Sequence, residues 1–257
     1  MPAQEELLDG MPDKLPVKEL LANMKGGLLV AMYQRLFRKY AITPRGVIHL
    51  GGHVGQEALP YLLLGYDRVV FVEPDPQLIP ALERNVGYVE KLRGHLDRFM
   101  DGTDGRPFGQ VVQAAIGDKN GTATLHVQPQ QTQTNSILQP IVGSHEKLDR
   151  PSQSIEVPMQ TLDTFMSSGL REGWTAEDFN VLYINVEGAE LLVLRGAIDS
   201  LKRFELVYAE VNLRPHYEGN PSADDLESFM TEQGFVLRWA HMGFVPDTGY
   251  MIFTRPR

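Results

Sequence analysis

An apolar run that breaks into closely spaced glycines constrains this chain more than any other feature. It reads Gly46-Val-Ile-His-Leu-Gly51-Gly52-His53-Val-Gly55, and Arg68-Val-Val-Phe-Val-Glu73-Pro-Asp-Pro76 follows it. A strand enters a glycine turn, a helix follows, and a second strand ends on an acid. Chains use this order to hold a nucleoside-bearing cofactor. The glycines admit close backbone approach, and the acid accepts hydrogen bonds from ribose hydroxyls.

The glycine spacing separates two kinds of cofactor. A dinucleotide turn places glycine at its first, third and sixth positions, to admit a pyrophosphate. Counted from Gly51, those later positions hold His53 and Gln56. The remaining glycines, Gly51, Gly52 and Gly55, make a shorter turn, suited to a cofactor without pyrophosphate such as S-adenosylmethionine. Glu73 lies near the spacing of about 20 residues expected for a ribose-binding acid.

Strand and helix alternate through the rest of the chain. Strands are expected at Gly46–Gly51, Arg68–Glu73, Gln110–Ile116, Asn180–Val186 and Glu205–Val211. Helices are expected at Gln56–Leu64, Gln77–Tyr88, Ala189–Arg203 and Ser222–Gln233, the last capped by Ser222. Alternation of this kind gives a parallel sheet with right-handed crossovers. Thr122–Val127 reads as an additional β segment. Val236–Ala240 and Tyr250–Thr254 read as a closing hairpin around a loop, Met242–Gly249. The expected fold is therefore α/β, a doubly wound, mostly parallel, Rossmann-like sheet with an antiparallel terminal hairpin.

Two segments lie outside that alternation. Residues 1–16 are polar and read as loose, and apolar residues recur at helical spacing from Val17 to Tyr40. Gly26-Gly27 predicts two helices or a kink there, and Arg35, Arg38 and Lys39 form a basic end. We read residues 1–43 as an N-terminal helical cap and 44–257 as the main domain. Residues 128–155, rich in Gln, Thr, Ser and Pro, read as a lid or insertion.

Composition removes several alternatives. The chain has no cysteine, which excludes disulfides, thiolate nucleophiles and cysteine-based metal sites. A net charge of −9 argues against nucleic acid as the main partner. No signal-like leader and no apolar run of membrane-spanning length is read in the sequence, so the expected location is the cytoplasm, without a membrane partner. The expected partner is a small-molecule substrate, and a homo-oligomer is left open.

Four blocks of this sequence resemble the FkbM-type methyltransferases. They are His49-Leu-Gly-Gly-His-Val-Gly55, Val72-Glu-Pro-Asp-Pro76, Gln113-Ala-Ala-Ile-Gly-Asp118 with Asn120-Gly121, and Ile184-Asn-Val-Glu-Gly-Ala-Glu190, the last preceded by Thr161-Leu-Asp163. The resemblance runs from about Pro44 to the C-terminus. It implies a seven-stranded methyltransferase sheet and S-adenosylmethionine as cofactor, with methyl transfer mostly to oxygen of sugars and other small molecules. It also implies that Gly51, Gly52 and Gly55 line the methionine and ribose portion, that Glu73 holds the ribose, and that Ala115 walls the adenine pocket. The chain departs from the family pattern at His49, His53, Tyr183 and Asn185, where Asp, Asn, Lys and Asp are usual.

Ligands in open α/β sheets lie beyond the carboxyl ends of the strands. Candidates there are His53 and Asn185 toward the cofactor, and Glu187, Glu190, Glu210, Asn212 and His216 toward an acceptor. His216 is a candidate base because histidine ordinarily titrates near neutral pH, and a surface loop histidine is its alternative. Glu187 is the second catalytic candidate, against a helix-capping role. Asn135 and Ser136, with Glu210 and Asn212, are candidates for binding acceptor, and His145 can reach inward from the lid. We expect no metal. A cation held by Glu187, Glu210 and Asn212 is the weaker alternative. Trp239, Phe244 and Tyr250 read as core. Rival readings are a nicotinamide-dependent oxidoreductase and a catalytically inactive cofactor-binding partner protein.

Overall fold

The computed structural model describes residues 25–99, 107–144, 148, 152–245 and 247–256. The expectations for residues 1–24 and for His145 lie outside them, as does that for the Phe244 side chain. In chain order the elements are α1 (Lys25–Tyr40), β1 (Gly46–Leu50), α2 (Ala58–Leu63), β2 (Arg68–Val72), α3 (Ile79–Phe99) and β3 (Gly109–Val112). Then come β4 (Ala115–Ile116), β5 (Gly121–Val127), β6 (Gln153–Gln160), α4 (Leu162–Ser168), β7 (Val181–Ile184) and α5 (Glu190–Arg195). The chain closes with β8 (Leu206–Asn212), α6 (Ala223–Glu232), β9 (Val236–Val245) and β10 (Thr248–Thr254).

Seven strands form one sheet in the order β3-β2-β1-β7-β8-β10-β9. The first five run parallel, and β10 is antiparallel to both of its neighbours. The expected doubly wound sheet with its antiparallel closing hairpin is thus present. Both faces of a parallel sheet must be covered, so its strands are apolar on both sides. Val47, Val69 and Val181 pack with Tyr33, Phe37 and Tyr61 of α1 and α2. Their neighbours Ile48, Val70 and Leu182 pack with Phe165, Val193 and Leu226 of α4, α5 and α6. The chain reverses direction across the sheet between β1 and β7, which opens the ligand crevice there.

Five local expectations need correction. The helix predicted at Gln77–Tyr88 continues to Phe99. Val89 extends its buried stripe, and Arg93 anchors its far half on Asp67 and over the Phe108 ring. The single strand predicted at Gln110–Ile116 divides, because Ala115 and Ile116 leave the main sheet to pair with Met159 and Gln160.

The helix predicted at Ala189–Arg203 ends at Arg195 and gives way to a separate 3-10 turn, Ser200–Arg203. Gly196 explains the break, since a Cβ there would lie 2.0 Å from the Gly117 carbonyl oxygen. The Asp163 carboxylate then accepts hydrogen bonds from Ser200 N and Oγ, at 2.7 and 2.6 Å. The predicted loop Met242–Gly249 is mostly strand, since β9 extends to Val245 and β10 begins at Thr248.

The insertion is shorter than residues 128–155. Strand β6 starts at Gln153 and pairs antiparallel with the whole of β5, so β4, β6 and β5 make a second, three-stranded sheet. Ser222 caps α6 as expected, in a reciprocal box with Asp225. Among the described residues no helix is long and apolar enough to cross a membrane.

Candidate active site

The glycine turn is held from beneath by backbone. The Gly51 and Gly52 amides both donate to the Val72 carbonyl, at 2.9 and 3.0 Å, and Asn185 N donates to Leu50 O at 3.0 Å. The ends of β1, β2 and β7 are thereby tied together. Gly51 lies at φ 83°, and a Cβ there would fall 1.7 Å from the Asn185 carbonyl oxygen. Only glycine fits that crossing.

Above the turn lies a cavity of about 660 Å³. It receives Gly51, His53, Glu73, Ala115, Asn135, Ser136, Asn185, Glu187, Glu210, Asn212 and His216 of the predicted residues. Gly52 and Gly55 do not line it. They face inward instead, where a Cβ would meet Phe71 at 3.1 Å and Leu82 at 2.7 Å respectively.

One half of the cavity is built around Glu73. Its carboxylate accepts from His53 N at 2.8 Å and from Asp75 N at 2.9 Å. Burial pushes this carboxyl up to about 7, against the pull of those two amides. His53 occupies φ 46°, a costly conformation for a non-glycine residue, and this turns its amide onto Glu73. Ala115, Ile116 and Leu125 line the apolar part of this half. Asn135 is committed here, donating to Asp75 Oδ2 at 2.9 Å and accepting from Gln128 N at 2.8 Å. Asn185 lines the cavity with a buried Oδ1 that has no hydrogen-bond partner.

The other half lies over the sheet face that also packs against α1 and α2. His49, Tyr183, Tyr208 and Tyr250 form a ladder of rings across β1, β7, β8 and β10. Successive centroids are 4.2, 4.4 and 5.4 Å apart. Trp239, Glu57 and Glu210 join them at the cavity wall. His49 is buried and accounted for by Tyr61, whose hydroxyl lies 3.0 Å from Nδ1, and burial holds it down to about 3, neutral at pH 7. Burial pushes the Glu57 carboxyl up to about 7.

Between the halves stands Glu187, at φ 53° and followed by Gly188 at φ 92°. This pair of left-handed residues turns the chain sharply after β7 and points Glu187 into the cavity. The Tyr217 hydroxyl donates toward Glu187 Oε2 at 3.2 Å and toward the Thr134 carbonyl at 3.0 Å. Ser136 Oγ donates to the Glu187 carbonyl at 2.7 Å and accepts from Leu138 N at 3.0 Å, so its hydroxyl builds the wall. The insertion is further stapled to the loop after β8, since Ile141 N donates to His216 O at 2.9 Å. Glu190 sits behind the site, its Oε1 accepting from the Val186 and Gly188 amides, both at 3.2 Å. Among the described residues no group of three or more His, Cys, Asp and Glu side chains is arranged to hold a metal ion.

Sequence reasoning missed Glu57, Tyr183, Tyr208 and Tyr217 as cavity residues. It also read Trp239 and Tyr250 as core, whereas both line the cavity. A signal existed in the strands. Tyr183 and Tyr208 occupy paired positions in the register of β7 and β8, and Tyr250 pairs with Glu210.

The residues present fit S-adenosylmethionine. Glu73 keeps acceptor capacity for ribose hydroxyls, the Ala115 region offers an apolar slot for a base, and the bare Asn185 Oδ1 awaits a donor. The Methyltransferase FkbM domain model matches residues 49–237. The 2-O-methyltransferase NoeI of Sinorhizobium fredii is 24% identical over 229 residues, covering 76% of this chain and 83% of that protein. A methyltransferase FkbM from Methylobacillus flagellatus, of known crystal structure, is 14% identical with a TM-score of 0.46. The match covers 81% of this chain and 43% of that one, so this chain spans less than half of its length. Magnesium protoporphyrin IX methyltransferase from Synechocystis PCC 6803, with bound SAM, gives a TM-score of 0.46 at 8% identity, over 98% of this chain and 89% of that one. With a family model spanning the glycine turn, Glu73 and Glu187 alike, the chain belongs to the FkbM methyltransferase family and is an S-adenosylmethionine-dependent methyltransferase.

Proposed function

We propose that this enzyme methylates a hydroxyl oxygen of a small polar acceptor, a sugar or a secondary metabolite. The observation that carries this reading is the second half of the cavity. Aromatic rings and carboxylates adjoin the Glu73 half there, in the pattern that holds apolar ring faces and hydroxyl groups together. The 2-O-methyltransferase relative supports oxygen as the methylated atom.

Bound S-adenosylmethionine supplies an activated methyl group. The protein's tasks are orientation and proton removal. Glu73 and Asn185 hold the cofactor, with Gly51, His53 and Ala115 shaping its bed, and Gly52 and Gly55 let the turn pack beneath it. Glu210 and Asn212 bind the acceptor from the end of β8. Asn135 and Ser136 act from the wall, through Asp75 and Glu187 respectively. Glu187 and His216 are the groups that take the proton the acceptor hydroxyl gives up, and Tyr217 fixes the direction of the Glu187 carboxylate.

The test is methyl transfer from labelled S-adenosylmethionine to a panel of hydroxylated acceptors. Transfer to oxygen, abolished in Glu187→Gln with cofactor affinity retained, is the expected result. Transfer to nitrogen or carbon instead would overturn the reading. Cofactor binding without any turnover would place the chain among catalytically inactive partner proteins.

A further inference from the structure

Residues 132–137 line the cavity, and the segment 129–141 that carries them forms a strap fastened at both of its halves. On the cofactor side, the Thr132 hydroxyl lies 2.9 Å from His53 Nε2, and Asn135 donates to Asp75 Oδ2 at 2.9 Å. The Gln56 amide nitrogen lies 3.4 Å from His53 Nδ1 and can only donate, which leaves the ring hydrogen on Nε2, facing Thr132. On the Glu187 side, Ser136 Oγ donates to the Glu187 carbonyl at 2.7 Å. The Tyr217 hydroxyl reaches both the Thr134 carbonyl, at 3.0 Å, and Glu187 Oε2, at 3.2 Å. Beyond these, Glu218 N donates to Gln139 O at 2.9 Å.

These fastenings are polar, and the strap has little core of its own. Between Pro129 and Gln139 only Ser136 is buried. At its root Gln128 is 2% exposed, and among the described residues neither polar atom of its side chain has a hydrogen-bond partner. Burying an amide in that state costs about 1–3 kcal/mol. A segment with so little buried apolar surface opens at a lower free energy than the sheet beneath it.

The cofactor-side fastenings use the two residues that hold Glu73. His53 N donates to Glu73 Oε2 and Asp75 N to Oε1. A ligand on Glu73 therefore acts directly on the residues that grip the strap. The strap in turn grips Tyr217, whose ring packs against the turn that carries Glu187. A Cβ at Gly188 would fall 2.9 Å from that ring. One hydrogen-bonded path thus runs from Glu73 through His53, the strap and Tyr217 to Glu187, and the strap is the two-state element that both ends bias.

We propose that bound cofactor closes the strap and that Tyr217 conveys this closure to Glu187, so that the carboxylate is aimed at the acceptor only when the methyl donor is in place. Tyr217 is then a positioning residue, acting through Glu187. The proposal rests on the reading of Glu187 as a proton acceptor.

The experiment follows hydrogen–deuterium exchange of the full chain by mass spectrometry, in peptides covering residues 129–141, without ligand and with saturating S-adenosylhomocysteine. It is paired with kcat and KM on the hydroxylated acceptor that the labelled-methyl panel returns. S-adenosylhomocysteine should slow exchange in the strap about tenfold. Thr132→Val keeps the side-chain shape and touches neither Glu73 nor Glu187. It should remove that protection and lower kcat about tenfold, with acceptor KM little changed. Tyr217→Phe keeps the ring packed on Gly188 and should lower kcat about 10- to 100-fold. The double variant should fall no further than Tyr217→Phe alone, because both act through one strap.

Unchanged strap exchange on binding S-adenosylhomocysteine overturns the proposal. So does a Thr132→Val chain that loses the protection yet keeps its kcat, and so do additive losses in the double variant. Glu187→Gln should keep the protection, and its kcat reports on the base reading separately. An unchanged kcat there overturns that reading, and the aiming role with it, whatever the strap does. Should the panel return no acceptor, the exchange measurement decides alone.

Discussion

The two halves of the cavity are built by different means. Around Glu73 the ligand surface is mostly backbone: turned amides, a glycine crossing, and the ends of adjacent strands hooked together. Around Tyr208 it is side chain, presented by the flat face of four strands. Backbone surfaces are set by φ and ψ and tolerate little change. Side-chain surfaces on a sheet can be exchanged one at a time with the strands intact. The comparison predicts that the first half is intolerant and generic, and the second permissive and specific.

The most severe way to sharpen it falls between the halves. Glu187→Gln should lower kcat by about 10² to 10⁴, the usual contribution of a positioned base, with cofactor affinity within twofold by titration calorimetry. An unchanged rate would pass the base role to His216. Next, Gly51→Ala should cost about 3 kcal/mol of stability or prevent folding, since a Cβ would occupy the Asn185 carbonyl. Thermal unfolding measures it, and a loss below about 1 kcal/mol would mean that the backbone half is as permissive as the other.

Glu73→Ala comes third. Loss of hydrogen bonds to a charged group should weaken S-adenosylmethionine about 10- to 100-fold, and equal affinity would remove Glu73 from the site. Trp239→Ala and Tyr250→Ala should each raise the acceptor KM about tenfold, as lost stacking area does, with the cofactor Kd unmoved. An effect on the cofactor instead would break the division between the halves.

The smallest effect is a pH dependence. Glu73 titrates at about 7 in the folded protein, above its ordinary value of 4.5. On the proposed reading, in which ribose hydroxyls bind its ionised form, cofactor affinity should rise about tenfold between pH 6 and pH 8 and stay flat in Glu73→Gln. Stability moves the other way. The folded chain holds more protons than the unfolded chain between pH 4.5 and about 7, so the stability contributed by this group falls as pH rises through that window. Glu57 and Glu190, also pushed up to about 7 by burial, add to the same slope. Denaturant titrations at pH 5 and pH 7 read it.

The same contrast decides how much was legible from sequence. The glycine turn, Glu73 and the closing hairpin are local patterns, and each is found where its spacing put it. The ladder of rings joins His49, Tyr183, Tyr208 and Tyr250, which only strand register brings together. Periodicity could not distinguish a tyrosine facing a cavity from one facing a helix. Glu57 follows the turn closely, yet nothing in its neighbours marks it as facing aromatic rings rather than solvent. The departure of β4 from the main sheet was equally hidden, because Ala115 and Ile116 are apolar in either sheet. The broken helix after Arg195 turned on Gly196, whose contact with Gly117 is long-range.

His53 and Glu187 share one property with a consequence for the lineage of this enzyme. Both hold left-handed backbone, at φ 46° and 53°. Branched side chains are barred from such positions, whereas Asn, Asp or Gly enter at small cost. Descendants of this chain can therefore exchange the chemical group at positions 53 and 187 of the cavity only among a few residue types. The strand face beside them carries no such restriction. New acceptors are expected to arise by drift at positions such as 208, 239 and 250, with the backbone at 53 and 187 inherited almost unaltered.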